Sequence, residues 1–229
     1  MGSCYNYVLG RIGGGGVEIY TGTSFGEKFQ KVKDYGLGIM ISSFSLKSFP
    51  PDKRFKEVHC ALDNGAFNCF RKGYPFQADV FLEMMSHCYR LGIKLDFITC
   101  PDIVCGGMRS LGFSMKWAEN ELVSAPRLAL VVQDGMTPNR MSSDHLERFT
   151  HLFIGGSVEW KWKTAKDWVK FAHDYDKICH IGQCGQLKYL ELAQDYGADS
   201  VDSSSIVRNG SWDIISRFTG KGQKGLFDG

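Results

Sequence analysis

Residues 151–206 read HLFIGGSVEWKWKTAKDWVKFAHDYDKICHIGQCGQLKYLELAQDYGADSVDSSSI. Three short strand-like runs lie in this stretch: HLFIGGS (151–157), KICHIGQC (177–184) and ADSVDSSSI (198–206). They alternate with TAKDWVKFAHDY and QLKYLELAQDYG, where apolar residues recur at helical spacing. A strand that returns parallel to its neighbour needs a crossover of about a dozen residues or more, which a helix supplies. The stretch therefore reads β-α-β-α-β and predicts a parallel sheet.

The same alternation runs back toward the start of the chain. VEIYTG (17–22), LGIMISSF (37–44), VHCALDNGAF (58–67), LDFITCPDIV (95–104) and RLALVVQDG (127–135) are further strand-like runs. Between them GEKFQKVKDYG places Phe29, Val32 and Tyr35 on one helical face, and ADVFLEMMSHCYRLG is a helix closed by Gly92. FSMKWAENELVSA and SSDHLERF are two more helical patterns, and SWDIISRF is a short, weakly specified last one. A doubly wound open sheet shares this alternation, but eight strand-helix units are the number that closes a compact (β/α)8 TIM barrel. No linker or composition break separates a second domain. The expectation is one α/β domain over 1–229 with a flexible tail from about 219.

Composition narrows the function classes. A 43% hydrophobic, 23% charged chain is ordinary for a globular protein, and no apolar run approaches the roughly 20 residues of a membrane span. The start, MGSCYNYVLGRIGGGG, lacks the parts of a signal peptide, so a cytoplasmic location is expected. A net charge of +2 neither announces nor excludes nucleic acid, which needs a local cluster of cations. Cysteines 4, 60, 69, 88, 100, 105, 179 and 184 form no Cys-x-x-Cys pair and read as free thiols. Cys179, His180 and Cys184 are the one conceivable metal group; adjacent strand residues face opposite ways, so no metal is expected there. His59 and His180 read as core histidines.

In such a barrel the active site sits where the strands end, at their C-terminal face. The residues found there are Asp63-Asn64-Gly65-Ala66-Phe67, Cys100-Pro101-Asp102, Gln133-Asp134-Gly135, Gly155-Gly156-Ser157, Ile181-Gly182-Gln183 and Asp202. Each aspartate alone reads most simply as a helix cap or turn residue, and Asp134-Gly135 is taken as an ordinary turn. Capping explains the whole set less easily. Two carboxylates converging on one pocket suit glycosyl chemistry, one attacking an anomeric carbon while the other moves protons. A glutamine amide, open glycine backbone and an aromatic at Phe67 suit a planar ligand such as a nucleobase.

ALDNGAF, CPDIV, LVVQDG, FIGGS, HIGQCGQLKYLELAQDYGADSVDSSS and VRNG, in this order over about residues 58–210, resemble the tRNA-guanine transglycosylase superfamily. The small size and serine-rich ending are most similar to the DNA 7-deazaguanine transglycosylases of phages and bacteria. The resemblance implies exchange of guanine in DNA for a 7-deazaguanine base, such as a preQ0-type precursor, without backbone cleavage or cofactor. It implies a bacterial or phage-infected cytoplasm as the setting. Asp202 matches the nucleophile that attacks C1′ of the sugar, and Asp63 the proton-transfer group. Asp102 matches the acceptor of the guanine N1 and 2-amino edge. Gln133 and the Gly155-Gly156-Ser157 turn match groups that bind O6, and Phe67 and Ile181 the two sides of the base sandwich. The tRNA enzymes carry a Cys-x-Cys-x-x-Cys plus His zinc site after the nucleophile. No cysteine follows Cys184 here, so no zinc subdomain is expected, and tRNA becomes the alternative substrate. A catalytically inactive nucleic-acid-binding barrel is a further alternative, disfavoured by the presence of both Asp63 and Asp202. DNGAF departs from the family pattern at Asn64 and Ala66.

A polynucleotide also needs phosphate contacts. EWKWKTAKDWVK interleaves Lys161, Lys163, Lys166 and Lys170 with Trp160, Trp162 and Trp168, a pattern that suits single strands. The residues nearest the expected mouth, Lys161, Trp162 and Lys163, are the candidates. Arg208, with Arg217, Lys221 and Lys224, forms a candidate second strip.

Overall fold

The computed structural model of the protein describes residues 16–48 and 50–220. Its strands are β1 (Glu18–Gly22), β2 (Gly38–Ser42), β3 (Cys60–Asp63), β4 (Leu95–Thr99), β5 (Leu128–Val132), β6 (His151–Ile154), β7 (Ile178–Ile181) and β8 (Ser200–Ser203). All pair in parallel with their sequence neighbours, and β8 returns to β1 with Glu18 opposite Ser200 and Tyr20 opposite Asp202. The sheet is thus a closed barrel, not an open one. Around it lie α1 (Gly26–Tyr35), α2 (Ala66–Arg71), α3 (Ala78–Leu91), α4 (Met108–Glu119), α5 (Val158–Asp174), α6 (Leu187–Asp195), α7 (Ser204–Asn209) and α8 (Trp212–Thr219).

Strand alternation sorts the side chains into two cores. Outward residues such as Ile39, Leu62, Leu130, Ile154, Ile181 and Val201 pack against the helices, among them Trp168 of α5 and Phe81 of α3. Inward residues Tyr20, Met40, Ala61, Phe97, Ala129 and Phe153 fill the barrel. His151 and His180 join them: the Phe153 and His180 rings are 4.6 Å apart, and Phe97 and His151 4.7 Å. Burial, together with His180 and Arg127, pushes the His151 imidazole down to about 3.

Several expected elements differ. SSDHLERF makes only a 3₁₀ turn at Ser143–Leu146, capped reciprocally by Ser142 and His145, so the β5–β6 crossover carries no α-helix. With Leu146 and Phe149 buried, this short segment covers its share of the barrel without a full helix. Two strand-like runs extend past their strands, because ALDNGAF turns at Gly65, whose φ is +79°, and DSSSI turns after Ser203. The short helices α2 and α7 begin there. Helix α5 starts six residues earlier than the TAKDWVKFAHDY pattern, since Ser157 caps it by accepting from the Trp160 amide. The tail expected from about 219, with Lys221 and Lys224, lies largely outside the described residues. Among the described residues no helix is long and apolar enough to cross a membrane.

Candidate active site

The inward rows of the barrel end in polar groups at the C-terminal mouth. On β3 the row is Ala61 then Asp63, on β5 it is Ala129, Val131, Gln133, and on β8 it is Ser200, Asp202. The two-residue strand period that buries the aromatic layer therefore also lifts Asp63, Gln133 and Asp202 above it. Thr99, buried near the end of β4, has a hydroxyl with no hydrogen-bond partner among the described residues. Asp102 follows β4 and completes the group.

Asp63 sits among like charges. Burial, then Asp202 and Asp102, push its carboxyl up to about 7, against the Gly65 amide and the Ser42 hydroxyl. Burial also pushes Asp102 up to about 6, opposed by hydrogen bonds from Asn64 and Gln133. Asn64 Nδ2 donates to Asp102 Oδ1 at 2.9 Å and to the Cys100 carbonyl at 2.8 Å, while its Oδ1 accepts from the Ala66 amide. By sequence Asn64 stands out only as a departure from a motif; the structure makes it the strut that ties β3 to Asp102. Gln133 Nε2 donates to Asp102 Oδ2 at 3.0 Å and to Ser110 Oγ at 2.9 Å. Both amide protons are thus engaged, and Gln133 orients Asp102 instead of offering a free donor to a base.

Asp202 is clamped by β7 and the turn after it. His180 Nε2 and the Gln183 amide each lie 3.2 Å from Asp202 Oδ1, and the Cys184 amide donates to the Asp202 carbonyl at 2.7 Å. Gln183 holds a left-handed φ of +63°, a strained conformation for a residue with a side chain, kept in place by these bonds. His180 Nδ1 pairs with Ser200 Oγ at 2.8 Å, giving a buried Ser200–His180–Asp202 chain. A core role alone for His180 leaves this pairing out. The available signal was register: His180 lies opposite Ser200, two residues before Asp202 on the same face.

No protein-family model and no curated protein matches this chain.

Other expected site residues are placed differently. Ile181 is fully buried in the outer core and cannot sandwich a ligand, because it faces away from the barrel interior that His180 occupies. Phe67 is 43% exposed on α2, one turn past Asp63, with Arg71 over its ring. In the GGS turn, the Gly155 amide is spent on Val132 O and the Ser157 amide on Asp134 Oδ2 at 2.7 Å. Ser157 Oγ donates to Asp134 Oδ1. Asp134 is thus more than a turn residue, and Gly156 supplies the one amide of the three without an acceptor among the described residues. A Cβ on Gly156, whose φ is +76°, would meet Asp134 Oδ2 at 2.6 Å and Trp160 at 2.8 Å. Gly156→Val is expected to lower the melting temperature by about 2–12 °C, from a strain of about 1–3 kcal/mol. Loss of base binding at an unchanged melting temperature would show instead that the side chain merely fills the pocket.

Lys161 is 1% exposed and donates to the Gly182 carbonyl, so it cannot reach a phosphate. Burial pulls its pKa down, opposed by the nearby Cys184, Asp202 and Asp134. Trp162 is partly buried and stacks on Tyr189 at 4.7 Å, between α5 and α6. Lys163, Arg208 and Arg217 are exposed. Cys179 faces the outer core and His180 the barrel interior, so the two do not converge on one ion. Among the described residues, the one group with metal-ligand proximity is Glu18, His59 and Asp96. It involves Glu18 at the start of β1, His59 just before β3 and Asp96 near the start of β4, away from the mouth. There His59 Nδ1 lies 3.3 Å from Asp96 and 3.5 Å from Glu18.

Proposed function

We propose that the protein is a base-exchange transglycosylase that replaces guanine in DNA with a 7-deazaguanine base. The observation that carries the reading is the gathering of three carboxylates at one barrel mouth, each in a different environment: Asp202 clamped, Asp63 raised to about 7 and Asp102 braced by two amides.

The roles follow from those environments. An Asp202 oxygen attacks C1′ as the bond from C1′ to guanine N9 breaks, and the Gln183 amide and His180 orient the carboxylate. The departing N9 takes its proton from Asp63, which is about half protonated near neutral pH and so serves as acid and then as base. In the second half Asp63 removes the N9 proton of the incoming base, which attacks C1′ and releases Asp202. Two inversions give retention, and no phosphodiester bond is broken. Asp102, ionised above about pH 6, accepts from the two N–H groups of the guanine edge. The reacting nucleotide must leave the duplex to reach a mouth of this kind.

The test is to offer guanine-containing DNA and tRNA separately with a labelled 7-deazaguanine base. Label is expected in DNA. Label in tRNA alone would move the substrate to the alternative, and label in neither would remove the base-exchange reading.

A further inference from the structure

Helix α2 and the turn after it expose Phe70 by 54% and Tyr74 by 52%, and Ile103, facing them from the β4–α4 loop, by 40%. Between them lies a cleft of about 280 Å³, walled also by Phe76 and Phe113 and reaching Asp102. A folded protein seldom leaves large apolar side chains exposed around one cavity without an occupant for them.

Charge indicates what kind of occupant. Residues 66–76, AFNCFRKGYPF, contain two cations and no acid; both cations, Arg71 and Lys72, stand outside the lining of the cleft, whose one charged residue is Asp102 at its inner end. Arg71 lies over the Phe67 ring, its Cζ 6.0 Å from the centroid, and Lys72 Nζ lies 4.3 Å from that of Phe44. Neither forms an ion pair among the described residues. A ring face holds a cation without neutralising it, so both charges stay available to an anion. An apolar peptide segment would leave these cations unused. Exposed aromatic faces beside unneutralised cations match the stacking and phosphate contacts of a single strand.

We propose that this cleft binds one unpaired nucleotide of a DNA strand, next to the nucleotide whose base is exchanged. Its base lies against Phe70 and Tyr74 and its phosphate at Arg71 and Lys72. The proposal rests on the reading of the mouth as a site for DNA, and Asp102 joins the two because it borders both. It also moves the polynucleotide path from the WKWK segment, where Lys161 and Trp162 are already engaged, to α2.

The experiment measures binding without chemistry: fluorescence anisotropy of a labelled single-stranded DNA containing one guanine, and of the same strand in a duplex, with the full chain. The single strand is expected to bind more tightly. Phe70→Ala with Tyr74→Ala should weaken it about 5- to 100-fold, as the loss of stacking on one base would. Arg71→Gln with Lys72→Gln should lower the slope of log affinity against log salt by about 0.7 for each phosphate that is no longer neutralised. Unchanged melting temperatures, expected for exposed positions, show that the variants fold. Equal affinity in both double variants, or a wild type that prefers duplex, overturns the proposal. Binding lost in the α2 variants in a protein that exchanges no base retains the cleft and removes the transglycosylase reading. Base exchange with α2 variants that bind like wild type does the reverse.

Discussion

Asp202→Ala is expected to abolish base exchange, by about 10⁴-fold or more, together with any denaturation-resistant protein–DNA adduct. The carboxylate is held by contacts that fix its oxygen and its backbone: the Gln183 amide and His180 on Oδ1, and the Cys184 amide on its carbonyl. Such orientation pre-organises an attacking atom, and removing the atom leaves nothing equivalent, since Asp63 is about half protonated at neutral pH. His180→Gln tests the clamp separately. It keeps a donor toward Asp202 and should reduce the exchange rate less than Asp202→Ala while leaving DNA affinity unchanged. An adduct that persists in Asp202→Ala would mean that another residue attacks the sugar.

How far the sequence reveals these features depends on the range of the signal involved. The eight strands and the mouth positions Asp63, Gln133 and Asp202 are legible because a two-residue period is local, as are the glycines that close several of the runs. The short helices α2 and α7 are not, since each has six residues, too few to show a 3.6 period. Long-range pairings are also hidden. WKWK has the composition of a nucleic-acid segment, yet helical phase turns Lys161 inward onto Gly182 and sets Trp162 against Tyr189 of the next helix. Ile181 and His180 illustrate the same point on a strand: a shift of one residue decides which faces the barrel interior. The engagement of Gln133 by Asp102 and Ser110, 31 and 23 residues away, leaves no trace in spacing.

Asp63→Asn should stabilise the fold and disable the enzyme at once. The folded Asp63 carboxyl, at about 7, lies above its unfolded value of 3.8, and burial is the main cause. Between about pH 4 and pH 7 the folded chain therefore holds a proton that the unfolded chain has released, so stability falls as pH rises through that window and levels off above it. Asp102, at about 6, adds to the decline over the lower part of the same range. An asparagine carries no charge to desolvate or to oppose Asp202 and Asp102, so the Asp63 share of the decline disappears. For a partly solvated carboxyl this share is about 2 kcal/mol, or about 4–8 °C in melting temperature. The gain over wild type should be small at pH 4 and largest near pH 8, as read from thermal unfolding across that range. Exchange should drop by about 10²- to 10⁴-fold, because the amide can neither protonate the leaving base nor deprotonate the incoming one. Equal stability of the two proteins at pH 8 would show that Asp63 is ionised without penalty in the fold, and would take the proton-transfer role away from it.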